Sequence, residues 1–139
     1  MLKTTYGLKV MLILFALALL GYFNSDGWSM DTKAYKNISV DQFAEMLDQK
    51  DFTLINVHIP YQGEIARTDF QIPFNRIDRY KNQLPDDKNA KIVVYCMMGP
   101  MGRIAAEKLV GMGYSQVIHL QGGMMAWEKI GKSLLIRAQ

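Results

Sequence analysis

The chain holds one cysteine, Cys96, followed by Met97, Met98, Gly99, Pro100, Met101, Gly102 and Arg103. A thiol does chemistry as its thiolate, which attacks sulfur and carbon electrophiles and ligates soft metals. A strand-like run, Lys91-Ile-Val-Val-Tyr95, leads straight into this cysteine, and a helical pattern over Arg103–Met112 follows it. In a strand–loop–helix unit, backbone N–H groups of the loop converge on one point and the helix start adds partial positive charge. A sulfur at position 96 is then favoured as an anion, and so is the outer sulfur of a persulfide. Gly99 and Gly102 allow a tight turn, while Pro100 stiffens the loop and removes one donor. The opposing reading is a small apolar residue packed in a core. A lone cysteine excludes an intrachain disulfide and a multi-cysteine zinc site.

Other side chains near this loop have two readings each. Met97, Met98 and Met101 beside a thiolate form a soft donor set suited to Cu(I), or an adaptable apolar lining. His58 and His119 end or lie within strand-like runs, where a histidine serves as readily in a structural hydrogen bond as in chemistry. His58 is the better candidate, because its strand end should face the cysteine loop. Arg103 is an anion contact or a solvated helix residue. Glu64 and Arg67 fall in an irregular stretch that can rim a pocket. Trp127 reads as core, packing the last helix on the sheet.

The elements that must position these residues follow from periodicity. Val40–Asp48 is amphipathic, with Phe43, Met46 and Leu47 on one face and Ser39 or Asp41 as its cap. Phe52–His58 reads as a strand buried on both faces, ended by Pro60. Ile59–Asn75 is irregular, Ile77–Leu84 a short helix stopped by Pro85, and Gln116–Leu120 a further strand. Gly122-Gly123 opens a last helix through Ile130. Strands alternating with helices predict an α/β domain with a mainly parallel sheet. In such sheets the site lies at the carboxyl ends of the strands, which is where Cys96 falls.

The 139 residues are one domain's length, half of them hydrophobic. Lys3 and Lys9 precede the unbroken apolar run Val10–Phe23, which leaves 14 basic against 13 acidic residues beyond it. The net charge of +3 is therefore no footprint for nucleic acid, which needs a basic face with interleaved aromatics. A basic start before an apolar run reads as a signal peptide or short signal anchor over residues 1–23. Its positive flank places the following domain outside the cytoplasm, secreted or held at the membrane. Residues 24–37 read as a polar tether, and 38–139 as the domain.

The residues quoted so far resemble a known family. Val93-Val-Tyr-Cys96-x-x-Gly99, a helix, a short strand and then Leu120-Gln-Gly-Gly-Met-Met-Ala-Trp-Glu-Lys-Ile-Gly131 are similar to the rhodanese-like domain superfamily. Leu54-Ile-Asn-Val-His58 resembles the family strand that usually carries Asp-Val-Arg, and Gln71-Ile-Pro-Phe74 its His-Ile-Pro-Gly turn. His58-Ile-Pro-Tyr-Gln-Gly-Glu-Ile65 looks like a subgroup of exported members. The resemblance covers about Ile38–Gly131. It implies a parallel sheet of about five strands flanked by helices. It also implies sulfurtransferase chemistry in which Cys96 accepts sulfur from thiosulfate or a persulfide and passes it to a thiol or other thiophilic acceptor. Met97, Met98, Gly99, Met101, Gly102, Arg103 and His58 would line the substrate site, with no metal or organic cofactor. The family often carries an arginine five places after the cysteine; here that place is Met101, and Asn56 and His58 replace the customary Asp and Arg. The loop also lacks the cysteine-to-arginine spacing of related phosphatases. These departures disfavour thiosulfate and favour a less charged donor or a protein persulfide. The alternatives are a rhodanese fold weakened in catalysis and serving as a protein-binding module, or a Cys/Met soft-metal protein.

Overall fold

The computed structural model describes residues 35–138. The apolar run Val10–Phe23 and all of the expected tether except its last three residues lie outside the described residues. Among the described residues no helix is long and apolar enough to cross a membrane.

Five strands form one sheet: β1 (Tyr35–Ile38), β2 (Thr53–Asn56), β3 (Phe70–Gln71), β4 (Lys91–Tyr95) and β5 (Gln116–Leu120), in the order β1-β5-β4-β2-β3. Every pairing is parallel. Three helices cover it: α1 (Val40–Asp48), α2 (Pro100–Gly111) and α3 (Gly123–Lys129). A parallel sheet is stable when both faces are covered, and β4 shows why here. Ile92, Val94 and then Cys96 turn to the face packed by Ala105, Ala106 and Leu109 of α2. Val93 and Tyr95 turn to the opposite face, packed by Phe43 and Leu47 of α1 and Met124 and Trp127 of α3. Each such large apolar side chain, fully buried, contributes about 1.5–3 kcal/mol. Trp127 is core as expected: its ring meets Phe43 edge-on at 5.6 Å, and its Nε1–H donates to the Ser133 carbonyl at 3.2 Å.

Local signals set the element ends. Ser39 caps α1 by a reciprocal box: its hydroxyl accepts from Gln42 N–H, and the Gln42 side chain accepts from Ser39 N–H. Pro100 stands in the first turn of α2, where its missing N–H costs nothing.

Three expectations are corrected. Residues 35–37 of the expected tether belong to β1, since Tyr35 and Ile38 are buried and all four strand residues pair with β5. The short helix over 77–84 is two 3₁₀ turns, Ile77–Arg79 and Lys81–Gln83. Helix α2 starts three residues before Arg103, so Pro100, Met101 and Gly102 are helical rather than loop.

The segment between β2 and β3 is fastened to β4 through Tyr95. Its hydroxyl accepts from Ile65 N–H at 3.0 Å and donates to Thr68 Oγ1 at 2.7 Å, while Thr68 donates onward to the Ile65 carbonyl. Burial holds this phenol protonated, with its pKa raised. Tyr95→Phe leaves the buried Ile65 N–H without an acceptor. We expect it to lower unfolding stability by about 1–3 kcal/mol, read as a lower urea midpoint at unchanged slope.

Candidate functional site

Chain direction splits between β2 and β4. From β2 the chain continues to β3 at one edge of the sheet; from β4 it continues to β5 on the other side. A crevice opens at the carboxyl ends of strands where such a reversal occurs. A cavity of about 90 Å³ lies there, lined by His58 from beyond β2 and by Cys96, Met97, Met98, Pro100 and Met101 from beyond β4. Parallel register brings the two sides together: Asn56 pairs with Tyr95, and Val57 N–H donates to the Tyr95 carbonyl at 2.8 Å.

Cys96 itself is 1% exposed. The Gly99 N–H donates to its Sγ at 3.0 Å, and among the described residues this is the one amide that does so. The expected convergence of several loop amides is therefore a single donor. The helix begins at Pro100, which has no N–H, and Arg103 N–H is already committed to the Gly99 carbonyl at 3.0 Å. Gly99 reaches this position at φ +134°, a region open to glycine and strained for other residues.

Behind the loop, the start of α3 takes up its carbonyls. Met124 N–H donates to the Cys96 carbonyl at 2.9 Å and Met125 N–H to the Met97 carbonyl at 3.0 Å. The approach is so close that a Cβ on Gly123 would lie 2.1 Å from the Cys96 oxygen.

His58 is buried; its Nε2 lies 2.7 Å from Gln62 Oε1, and its Nδ1 has no partner. Its backbone is held on both sides: its N–H donates to Asn56 Oδ1 at 3.1 Å, and its carbonyl accepts from Gln71 Nε2 at 2.7 Å. Asn56 also donates to the Gly63 carbonyl at 2.9 Å. Asn56 is thus a brace for the loop after β2.

The structure therefore brings His58, Met97, Met98 and Met101 to the cavity with Cys96. It does not bring Gly99, Gly102 or Arg103 to its wall. Arg103, one helical turn on, lines a separate cavity of about 220 Å³ with Met98, Gly99, Pro100, His119, Gln121 and Gly122. Gly102 is buried against His119. Pro100 is a lining residue that residue-type reasoning passed over, although its place beside Cys96 was a signal. Glu64 and Arg67 do not rim the cavity. Glu64 is buried 2.6 Å from the Arg137 Nε, and the Arg67 guanidinium donates to the Leu47 carbonyl. Among the described residues no group of three His, Cys, Asp or Glu side chains is arranged to hold a metal.

Comparison with known proteins matches residues 39–130 to the family described as Rhodanese-like domain. A sulfurtransferase of Allochromatium vinosum is 30% identical over 89 residues, covering 62% of this chain and 80% of that one. The thiosulfate sulfurtransferase GlpE of Pseudoalteromonas translucida is 25% identical over 95 residues, covering 68% and 90%. The solved structure of a rhodanese-like domain protein from Staphylococcus aureus superposes with a TM-score of 0.62 at 25% identity, over 74% of this chain and 99% of that one.

The α3 contact has a direct test. Gly123→Ala drives a methyl into the Cys96 and Met97 carbonyls at positive φ, and we expect a loss of more than about 2 kcal/mol in urea unfolding. Gly111→Ala, where nothing lies within 4 Å of the added carbon, should be neutral or stabilising by up to about 1 kcal/mol.

Proposed function

Because this chain belongs to the rhodanese-like domain family, a sulfurtransferase-family role follows, and we propose that Cys96 carries the transferred sulfur as a persulfide. The Cys96 thiolate attacks the outer sulfur of a donor persulfide. The donor S–S bond breaks as the Cys96–sulfur bond forms, and the donor leaves as a thiolate. An acceptor thiolate then attacks the outer sulfur on Cys96 and returns the Cys96 thiolate. No net oxidation occurs and no metal or organic cofactor enters.

The observation that carries this reading is the Gly99 amide directed at Sγ from 3.0 Å at the wall of a small cavity. A charge-assisted hydrogen bond of this kind stabilises an anion on sulfur more than a neutral thiol. A packed structural cysteine needs neither the donor nor the cavity.

The lining also bears on the donor. His58, Met97, Met98, Pro100 and Met101 include no Lys or Arg, so a dianion such as thiosulfate would lose its hydration without a cation to replace it. We therefore favour a donor that presents an outer sulfur of low charge, such as an organic or protein persulfide. Met98 and Met125 stand 60% and 41% exposed and share a shallow cavity beside the site. That favours a protein as donor or acceptor. We further propose that the domain works outside the cytoplasm, on the strength of Lys3, Lys9 and the apolar run Val10–Phe23.

Intact mass after incubation with a low-charge persulfide is expected to rise by one sulfur in the wild type and not in Cys96→Ala. Thiosulfate should load at least about tenfold more slowly. No adduct from any donor would replace this reading with that of a binding module built on the same fold.

A further inference from the structure

His119 lies in β5, the strand next to β4 on the side away from β2, so it approaches the Cys96 loop from the side opposite His58. It is 2% exposed. Its Nδ1–H donates to Asn37 Oδ1 of β1 at 2.8 Å, which leaves Nε2 carrying the lone pair. That Nε2 is buried with no hydrogen-bond partner.

The ring sits under the first turn of α2. A Cβ on Gly102 would lie 2.7 Å from His119 Nε2 and Cδ2, and one on Gly99 would lie 3.8 Å from Cε1. Gly102 is small because the imidazole occupies the space. The backbone resting on this ring is therefore the one that aims the Gly99 N–H at Sγ.

We propose that His119 is a positioning residue for Cys96, tied to β1 through Asn37 and bearing from below the Gly99–Gly102 turn that directs an amide at the sulfur. This rests on the reading of Cys96 as the sulfur carrier. Packing alone does not account for a histidine here. A buried ring nitrogen without a partner is unfavourable, and a phenylalanine would fill the same volume without it.

The lone pair on Nε2 gives the turn a protonation-dependent support. Burial lowers the His119 pKa, the nearby Gly99 backbone raises it, and the Arg103 charge lowers it. The ring is thus neutral near neutral pH and charged only below its ordinary range. On protonation, Nε2 becomes a donor and a positive charge appears beneath the turn that carries the Gly99 N–H. The other groups facing it are Tyr35 of β1, whose ring meets it edge-on at 6.3 Å, and Val94 of β4, its register partner. Beyond the loop, Gln121 and Gly122 share its cavity.

The test measures carbon alkylation of Cys96 by iodoacetamide in the full chain between about pH 5 and 9, a readout independent of sulfur transfer. In the wild type, the thiolate's fall with acid should flatten as His119 gains its proton. His119→Phe should remove that flattening and slow alkylation about tenfold at about pH 7. His119→Gln, which keeps polar atoms in the space, should recover part of the rate. Asn37→Asp puts a carboxylate against Nδ1, favours the imidazolium, and should move the flattening to higher pH. Profiles of His119→Phe and Asn37→Asp that overlie the wild type would overturn the proposal; should the phenylalanine variant not fold, an unmoved Asn37→Asp profile does so alone. A wild type that takes up no sulfur yet shows the shifted profiles would sink the sulfur-carrier reading and leave the positioning role standing.

Discussion

The carbonyl groups of Cys96 and Met97 are the constraint on which the site depends. They leave the end of β4 in the interior, where an unpaired carbonyl is costly. The first N–H groups of a helix have the complementary problem, since no residue precedes them to accept. Met124 and Met125 at the start of α3 resolve both at once, at 2.9 and 3.0 Å. Backbone can meet backbone this closely only if the intervening residue carries no side chain, which is the place of Gly123. With the loop held from behind by its carbonyls, the Gly99 N–H is placed on the sulfur. The Gly-Gly pair is therefore a structural hinge pin for the cysteine, though it lies more than twenty residues away in the chain.

The opposite wall is built from polar side chains standing in for sheet hydrogen bonds. Beyond β2 the ladder ends and the chain turns irregular, yet Val57, His58, Gly63, Glu64, Ile65 and Thr68 are buried. Asn56 takes the His58 N–H and gives to the Gly63 carbonyl; Gln71 gives to the His58 carbonyl; Tyr95 and Thr68 close on Ile65. The chain near Glu64 is held from outside by residues 135–137, through a two-hydrogen-bond antiparallel bridge at Leu135 and the Arg137 ion pair. This wall differs in kind from the first. One is fixed by helix against strand, the other by individual side chains, each satisfying a buried backbone group.

What was legible in the chain follows the same division. The bounds of α1, β4 and β5 matched their patterns residue for residue, because Ser39 and Gln42 form a capping box and the two strands are short β-branched runs. Cys96, His58 and the three methionines converge as expected, since strand ends of a parallel sheet point one way. Edge elements were not legible. β1 has two polar residues among four, and β3 has two residues in all, so neither carries a periodic signal. Helix α2 starts earlier than its pattern predicts because Met101-Gly102 resembles loop, although Pro100 is a favoured first-turn residue. That earlier start takes the Met101 and Gly102 amides into the helix, and Pro100 has none to give, so the cradle is one donor. His119 left no signal, because a histidine in an apolar strand looks the same whether its ring meets core or an active loop.

The single donor changes how the site must discriminate. Several converging amides or an arginine would attract any anion. One amide within apolar walls acts strongly at short range, because low polarity strengthens the hydrogen bond that is made and penalises every charge left unpaired. Arg103 does not relieve that penalty, since it opens into the neighbouring cavity. Nor does Asn56, whose side chain is already bonded to backbone. A persulfide on Cys96 keeps the one amide at Sγ, whereas the oxygens of a sulfonate group would find no Lys or Arg in the lining. On the proposed reading, selectivity among sulfur donors thus comes from the same feature that makes the loop compact: a helix that begins one residue after Gly99.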